Sequence, residues 1–405
     1  MSIDPFRVRV QGPLGPFAAG FARELTRQGY TQISALGQMR QLARLSRWLA
    51  LEGIDLKDLG ASDLDRFVRT RRAACRQLRS IKALQPILSH LRALGVVQQP
   101  SPRAPDNPVD DLLQRYRRYL TVERGLGKAT AIGYADCVRP FLRQRLSPDG
   151  LALELAGLAT TDIVAFVVAH CPRLGRGTAS LTVTALRSLL GFLHVEGLIG
   201  HSLAACVPSV AGRRLSGLPR GLDSDQIERL LASCDCGTSL GCRDFAVLTV
   251  LVRLGLRAGE VARLKLDDVD WRAGEILVRG KGSCIEQLPL PADVGEAVAA
   301  YLRHGRPRTA QGRTIFVRVK APHGALSSSG VSQIVAAAGR RAGLGQICAH
   351  RLRHTAASAM LRAGASLPEV GQVLRHRRTL TTAIYAKVDR EALRTIARPW
   401  PGEAA

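Results

Sequence analysis

The sequence has 405 residues, of which 46% are hydrophobic, and its 58 Lys and Arg residues against 33 Asp and Glu residues give a formal net charge of +25. A chain of this length and apolar content can bury more than one core, which excludes an intrinsically disordered protein. The charge predicts a polyanionic partner, nucleic acid before any other. The alternative is the arginine bias of a GC-rich genome, because arginine greatly outnumbers lysine here.

Signals for a membrane, for export and for a metal are weak. No segment approaches the roughly 20 uninterrupted apolar residues of a membrane span, and the N-terminal MSIDPFRVRV lacks the apolar region of a signal peptide. We therefore expect a cytoplasmic, nucleoid-associated protein with no membrane partner. The nine cysteines are scattered, as is typical of reduced thiols. Cys234, Cys236 and Cys242 cluster, but they lack a fourth ligand and a usual zinc spacing, so neither a metal nor a cofactor is expected.

The first region, residues 1–97, is predicted to be helical from Phe17 onward. Apolar residues recur there at helical spacing, for example at Met39, Leu42, Leu45 and Leu49. The region is followed by residues 98–108, QQPSPRAPDNP. Four prolines in this short segment predict a linker between domains.

A second helical region, residues 109–207, repeats the pattern of the first. Six core positions recur at a constant offset of 102 residues: Ala83, Leu84, Ile87, Leu88, Leu91 and Gly95 correspond to Ala185, Leu186, Leu189, Leu190, Leu193 and Gly197. This agreement favours an internal duplication of a four-helix unit, with residues 1–97 as the first copy. The alternative is that any two amphipathic bundles align this loosely.

Residues 208–222 are Gly-rich and basic, which predicts a linker before a third region, residues 223–405. Asp223 or Ser224 is expected to cap the first helix of this third region. Residues 244–255 are almost entirely apolar and predict a central buried helix.

Gly255 is expected to end that helix and to place Arg257 in the turn that follows. Two strand-like runs, residues 274–280 and 286–291, flank the sequence GKGSC and predict a β-hairpin with Lys281 at its tip. Further amphipathic helices are predicted at residues 294–302 and 331–342. The predicted fold class is mainly α with a small β-hairpin or sheet.

The segment from Cys348 to Lys387 concentrates cationic side chains before one late tyrosine. His350 and Arg353 lie three residues apart at the start of a predicted helix, so both side chains reach the same place. Helical spacing predicts the buried side of this helix at Leu352, Ala356, Ala359 and Met360.

Gly364 suits the end of that helix, and Ser366 with Glu369 forms a capping box for the next. The second helix delivers His376. Tyr385 comes nine residues later.

Two stretches, GLRAGEVARLKLDDVDW and VRGKGSC, together with this segment resemble the catalytic domain of the tyrosine recombinase (phage integrase) family. Six positions match the functional residues of that family: Arg257, its first arginine; Lys281, the lysine of its hairpin turn; His350 and Arg353, its His-x-x-Arg; His376, its second histidine; and Tyr385, its nucleophile. Glu260 matches a common acidic residue. Two positions depart from the pattern, because Arg375 stands where the family often has glycine and Arg351 replaces a common acidic residue.

The resemblance implies an architecture. It makes residues 109–207 a helical, SAM-like core-binding domain and residues 223–405 an α+β catalytic domain. Basic residues of the core-binding domain are then candidates for phosphate contacts: Arg115, Arg117, Arg118, Lys128, Arg173 and Arg176. Each of these alone is also typical of a solvated surface charge.

The resemblance also implies a function, that of a site-specific recombinase, integrase or transposase of a mobile element. Such an enzyme cuts and rejoins double-stranded DNA through a 3′-phosphotyrosyl intermediate, without metal or ATP. Four protomers, all of this chain or some of related recombinases, act on two duplexes. Within the site, His350 is the expected base and Lys281 the expected acid, while His376 donates a hydrogen bond to the phosphate.

Two alternatives remain at this point. A type IB topoisomerase-like enzyme uses the same chemistry to relax supercoils instead of exchanging strands. A DNA-binding accessory protein without catalytic activity would also be basic, although the complete set of six residues argues against it.

Overall fold

A computed structural model of the chain describes residues 4–72, 81–99, 107–210, 221–280 and 285–375, together with Thr382 and Tyr385. The chain divides into two compact units. One unit is Gln99–Arg214, and the other combines Met1–Gln98 with Leu215–Ala405. Most of both predicted linkers, residues 100–106 and 211–220, lies outside the described residues.

The N-terminal region is helical, as the spacing of its apolar residues predicts. Its α-helices are α1 (Ala18–Arg27), α2 (Gln32–Glu52), α3 (Ala61–Arg72) and α4 (Gln85–Ala93). They enclose a hydrophobic core of their own in which the Trp48 and Phe67 rings lie 5.4 Å apart. Thr31 caps α2 by accepting a hydrogen bond from the Ser34 main-chain N–H.

The unit Gln99–Arg214 is also helical. It contains α5 (Pro108–Val122), α6 (Lys128–Arg143), α7 (Thr160–His170) and α8 (Arg176–Val195). Its core is again separate, and the buried Tyr116 hydroxyl donates a hydrogen bond to the Ala185 carbonyl of α8. By length and composition, α8 is the one helix among the described residues that satisfies the criteria for a membrane span. Half of that stretch is buried against the rest of the unit, as in the core helix of a globular bundle.

The two four-helix segments share details beyond the apolar pattern. Gly95 and Gly197 both follow a helix and both have positive φ, 70° and 71°. Asp63 and Asp162 accept main-chain N–H hydrogen bonds of 3.0 Å at the starts of α3 and α7. All four matched leucine or isoleucine positions are buried in both segments: Leu84, Ile87, Leu88 and Leu91 in the first, and Leu186, Leu189, Leu190 and Leu193 in the second.

The C-terminal region is built around one buried helix. Its α-helices are α9 (Ser224–Ala232), α10 (Ser239–Leu254), α11 (Ala258–Arg263), α12 (Ala292–Ala300), α13 (Ser328–Arg341), α14 (Ala349–Arg362) and α15 (Leu367–Val373). Helix α10 is buried along most of its length, as its apolar sequence predicts. Asp223 is the cap of α9, with a capping box to Gln226.

Three short strands form an antiparallel sheet in the order β1 (Val269–Asp270), β2 (Glu275–Arg279) and β3 (Ile285–Pro289). The hairpin of β2 and β3 is thus confirmed, and its register pairs Arg279 with Ile285. Strand β1 has no counterpart in the sequence prediction, because two residues are too few to show an alternating pattern.

The predicted buried face of α14 is partly wrong. Leu352 and Ala356 are buried, but Ala359 is exposed and Met360 is only half-buried. The reason is that one side of the last turns of this helix lines a groove of about 410 Å³ beside α9 and α10.

Candidate active site

Gly255 connects the central helix to the site. It has φ 58° and ends α10 in the left-handed conformation that glycine adopts without steric cost. A Cβ atom at this position would also lie 2.7 Å from Leu374 and 3.2 Å from the Ala356 methyl group. Backbone conformation and packing therefore both require glycine, and the turn places Arg257 as the N-terminal cap residue of α11.

Glu260 is the acidic centre of the site and is 2% exposed. Its carboxylate accepts hydrogen bonds from the Arg257 main-chain N–H at 2.8 Å and from Arg257 Nη1 at 2.7 Å. Burial alone would raise the pKa of Glu260, but the main-chain hydrogen bond and the charges of Arg375 and Arg257 outweigh it, so the pKa is lowered. The ionised carboxylate fixes the guanidinium of Arg257, whose side chain remains 44% exposed.

Arg375, the departure from the usual glycine, occupies the backbone conformation for which glycine is favoured. Among the described residues it is the one non-glycine with positive φ, at 55°. Its Nη2 donates a hydrogen bond of 2.9 Å to Glu260 Oε2, and its carbonyl accepts one of 3.3 Å from Arg257 Nη2. Its Nε is buried and makes no hydrogen bond within the part of the chain that the structure describes. The left-handed conformation costs a non-glycine residue about 1–2 kcal/mol, and the ion pair with Glu260 is the contact that holds the Arg375 side chain in place.

Arg353 lies at the junction of two helix ends and is 1% exposed. Its Nη1 donates a hydrogen bond of 2.6 Å to the Gly255 carbonyl, and its Nη2 donates to the Leu374 carbonyl. These carbonyls belong to the cap residues of α10 and α15, whose terminal carbonyls have no partner within their own helices. Burial, with the nearby charge of Arg257, lowers the pKa of Arg353 to about 10, so the guanidinium stays charged at neutral pH.

Three of the sequence-predicted residues line one cavity of about 460 Å³: Arg257, His350 and Arg353. Burial, together with the charges of Arg353 and Arg257, lowers the pKa of His350. The imidazole is therefore neutral at pH 7 and able to accept a proton. The cavity brings two fixed positive charges and one neutral base together, which suits an anionic tetrahedral group such as a phosphodiester.

Tyr385 lies beside these residues but not in that cavity. The residue is 1% exposed, and its ring packs with Ala357, Val370 and Leu374 in a small hydrophobic cluster. Burial raises the pKa of the Tyr385 hydroxyl, an effect that the positive charge of Arg353 partly offsets.

The sequence-based prediction missed His354. Its Nδ1 lies 2.8 Å from the Tyr385 hydroxyl, and its ring contacts that of His350 edge-on with 4.4 Å between centroids. Burial, together with His350 and Arg353, lowers the pKa of His354 to about 4. The signal was its spacing, because residues four apart on a helix are neighbours and His354 follows His350 at that distance.

Lys281 and His376 lie outside the described residues. In the sequence, Lys281 falls between the paired strand ends Arg279 and Ile285, and His376 directly follows Arg375. No group of three or more His, Cys, Asp or Glu side chains that could hold a metal occurs among the residues that the structure describes. The cysteines Cys234 and Cys242 are buried free thiols.

Comparison with known proteins decides the family. The model of the phage integrase family matches residues 220–392. The putative integrase/recombinase y4rA of Sinorhizobium fredii is 44% identical over 399 residues, which cover 97% of this chain and 96% of that protein. The tyrosine recombinase XerD of Listeria monocytogenes is 31% identical over 293 residues, 71% of this chain and 97% of that protein. The chain belongs to the phage integrase family of tyrosine recombinases.

The fold agrees with this assignment. The lambda integrase tetramer bound to a Holliday junction matches with a TM-score of 0.53 and 19% identity, over 82% of this chain and 90% of that one. A tyrosine recombinase is a DNA strand-exchange enzyme that acts in the cytoplasm. The relatives are recombinases and integrases, which favours strand exchange over the topoisomerase-like alternative.

Proposed function

We propose that this tyrosine recombinase breaks and rejoins duplex DNA with Tyr385 as the nucleophile and five further residues as its catalytic groups: Arg257, Lys281, His350, Arg353 and His376. The observation that carries the proposal is the convergence of Arg257, His350 and Arg353 on one cavity. These residues come from the start of α11 and from α14, about ninety residues apart in the chain.

In the proposed reaction the two arginines hold the scissile phosphate. Charge spreads over the non-bridging oxygens in the transition state, and fixed guanidinium groups stabilise it without reorganising. Arg257 is held by Glu260, and Arg353 by the Gly255 and Leu374 carbonyls, so neither has to be ordered when DNA binds.

Proton transfer completes the proposed step. The Tyr385 oxygen bonds to phosphorus as its proton passes to His350, which is neutral at pH 7. The bond from phosphorus to the 5′ oxygen breaks, and Lys281 gives that oxygen a proton. His376 donates a hydrogen bond to the phosphate. The phosphotyrosyl ester keeps the energy of the broken bond, so a 5′ hydroxyl of another strand can reverse the reaction without ATP.

Strand exchange needs more than one protomer, and we propose a tetramer on two duplexes, either of this chain alone or with related recombinases. The lambda integrase tetramer bound to a Holliday junction supports this arrangement through its similar fold. A net charge of +25 suits such a large DNA surface and favours association with the nucleoid.

We further propose that residues 109–207 form the core-binding domain, that residues 223–405 form the catalytic domain, and that residues 1–97 are a duplicate of the core-binding unit. The shared caps, the two positive-φ glycines and the matched buried positions of α4 and α8 support the duplication. A further DNA-gripping unit would suit a recombinase of a mobile element, which must recognise the ends of that element.

The proposal is tested by trapping the intermediate. The protein is incubated with labelled duplexes that carry the junction sequences flanking its own gene, and a protein–DNA adduct is sought after denaturation. We expect an adduct with the wild-type protein and none with Tyr385→Phe, which removes one hydroxyl and no charge. Duplex binding by the variant should remain within about twofold. An adduct that persists in Tyr385→Phe would refute the assignment of the nucleophile.

A further inference from the structure

We propose that His354 is a positioning residue that holds the hydroxyl of Tyr385 outside the phosphate-binding cavity before the reaction begins. This inference rests on the proposed nucleophilic role of Tyr385. It adds a residue that none of the matched positions includes, and it gives that residue a function before the reaction begins.

The first observation is the contact itself. His354 Nδ1 and the Tyr385 hydroxyl are 2.8 Å apart, and the two rings meet edge-on with 5.4 Å between their centroids. The pKa of the hydroxyl is raised while that of the imidazole falls to about 4, so the proton stays on Tyr385. The hydroxyl therefore donates the hydrogen bond and neutral His354 accepts it.

The second observation is where the contact lies. The described residues that line the cavity include Arg257, His350 and Arg353, but neither His354 nor Tyr385. Tyr385 is 1% exposed and its ring packs in a separate small cluster with Val370 and Leu374. The Tyr385 ring therefore packs outside the lining of the cavity that we propose for the phosphate.

The third observation is the spacing of the two histidines. His350 and His354 are four residues apart on α14, and their rings are in contact at 4.4 Å. His350, the proposed base, is thus the neighbour of the ring that holds the hydroxyl, and the hydroxyl has to change partner from His354 to His350 before it can react. The hydrogen bond to His354 must break before the hydroxyl can move. The strength of this hydrogen bond therefore contributes to the free energy needed to bring Tyr385 to the phosphate.

Holding the Tyr385 hydroxyl is a different role from removing its proton, and the two roles predict opposite effects of replacing His354. An imidazole with a pKa of about 4 is a weak base for a phenol whose pKa is raised. Loss of the acceptor should therefore free the Tyr385 hydroxyl from this one contact and leave cleavage intact or faster. If His354 were the base, loss of the acceptor would slow cleavage.

Two variants separate the hydrogen bond from the shape of the side chain. His354→Leu fills similar space on the helix and offers no acceptor. His354→Asn keeps an acceptor oxygen near the position of Nδ1. Both are compared with the wild-type full-length protein, and their thermal unfolding is measured first to establish that they fold.

The first readout needs no DNA. Each protein is treated with N-acetylimidazole, which acylates accessible tyrosine hydroxyls, and the rate at Tyr385 is followed by mass spectrometry of its peptide. The half-buried Tyr134 and the fully buried Tyr301 serve as internal references. We expect acylation of Tyr385 to be about two- to tenfold faster in His354→Leu, the range that a net hydrogen bond of ordinary strength gives. It should remain within twofold of wild type in His354→Asn.

The second readout is single-turnover adduct formation on the duplex that the wild-type protein cleaves. We expect an equal or higher rate for His354→Leu, by up to about tenfold, and a rate near wild type for His354→Asn. Equal acylation in all three proteins, or a cleavage rate at least tenfold lower in His354→Leu, would overturn the proposal. If the wild-type protein forms no adduct on any duplex, the proposed role of Tyr385 as the nucleophile is refuted. The acylation rates then still decide whether His354 holds the hydroxyl.

Discussion

Glu260 and Arg375 form a buried ion pair, with 2.9 Å between Glu260 Oε2 and Arg375 Nη2 and both side chains at most 4% exposed. The same carboxylate orients Arg257 through its other oxygen and through the main-chain N–H of that residue. One carboxylate thus balances two guanidinium groups, of which one is buried and the other is exposed to the cavity.

Replacing Arg375 separates the energy of this ion pair from the strain of the backbone. Arg375→Ala and Arg375→Gly both remove the guanidinium, and breaking a buried pair costs on the order of 3 kcal/mol. Glycine also relieves the left-handed conformation, so Arg375→Gly should be more stable than Arg375→Ala by about 1 kcal/mol. Urea unfolding of the two variants measures the difference. Equal stability of the two would show that the positive φ carries no strain.

Glu260→Gln should change how stability depends on pH. The pKa of Glu260 is below its ordinary value of 4.5 in the folded protein, so the unfolded chain binds its proton first as pH falls. The stabilising contribution is therefore complete above about pH 4.5 and is lost as pH falls through the lower, folded pKa. We expect the free energy of unfolding of the wild type to fall more steeply below pH 4.5 than that of Glu260→Gln, in matched urea titrations. Parallel curves would contradict the lowered pKa.

Arg257→Ala and Arg353→Ala should both reduce single-turnover cleavage by on the order of 10²-fold, by analogy with the loss of one oxyanion donor. Their effects on stability should differ. Arg353→Ala removes the hydrogen-bond donor of the Gly255 and Leu374 carbonyls. A buried carbonyl that loses its donor destabilises the fold by about 1–3 kcal/mol. Arg257 is 44% exposed, so its loss should cost about 1 kcal/mol or less. Cleavage within threefold of wild type in either variant would exclude that arginine from phosphate binding.

Lys281→Ala should slow cleavage of ordinary DNA and be rescued by a substrate with sulfur in place of the 5′ bridging oxygen. A thiolate leaves without a proton, so the general acid becomes dispensable. Rates on the two substrates are compared for the variant and for wild type. Arg263→Ala is the matched control, since it removes a cation whose Nη2 donates to the Arg279 carbonyl, two residues before Lys281 in the sequence. If the two variants respond alike to sulfur, another group is the acid.

Deleting residues 1–105 should shorten the DNA footprint and leave cleavage of a minimal site intact. The core of the N-terminal region shares no residue with the core around α10, so the deletion leaves the second core complete although both lie in one compact unit. Each lost phosphate contact should reduce the slope of log K against log salt by roughly 0.9. Thermal unfolding establishes that the shortened chain is folded. Identical footprints and slopes would exclude a DNA-gripping role for the first unit and favour a role between protomers.

Local features of this chain could be read from the sequence. The left-handed end of α10 at Gly255, the capping box from Ser366 to Glu369 and the hairpin of β2 and β3 depend on residues close together in the chain. Each of these features has a local physical cause: a positive φ, a helix cap or a tight turn. Each can therefore be predicted without knowing how the chain packs.

Contacts between segments that are distant in the chain could not be predicted from the sequence. The sequence shows that Arg375 replaces the glycine common in the family, but its ion pair with Glu260 joins residues 115 apart, and its positive φ is visible only in the folded chain. The hydrogen bond from Tyr385 to His354 spans 31 residues, and helical spacing alone does not show which of two neighbouring histidines a distant tyrosine will meet. The exposed end of α14 was missed for the same reason, since periodicity predicts a face but not what covers it.

The place of Tyr385 within the cluster of Ala357, Val370 and Leu374 has a consequence for protein synthesis. The ribosome makes Arg257, His350 and Arg353 before it reaches the tyrosine, and the ring is then the last of these side chains to join the fold. On the proposed mechanism, a chain that ends before Tyr385 keeps these three residues and lacks the nucleophile. We therefore expect incomplete products of this gene to leave DNA uncut.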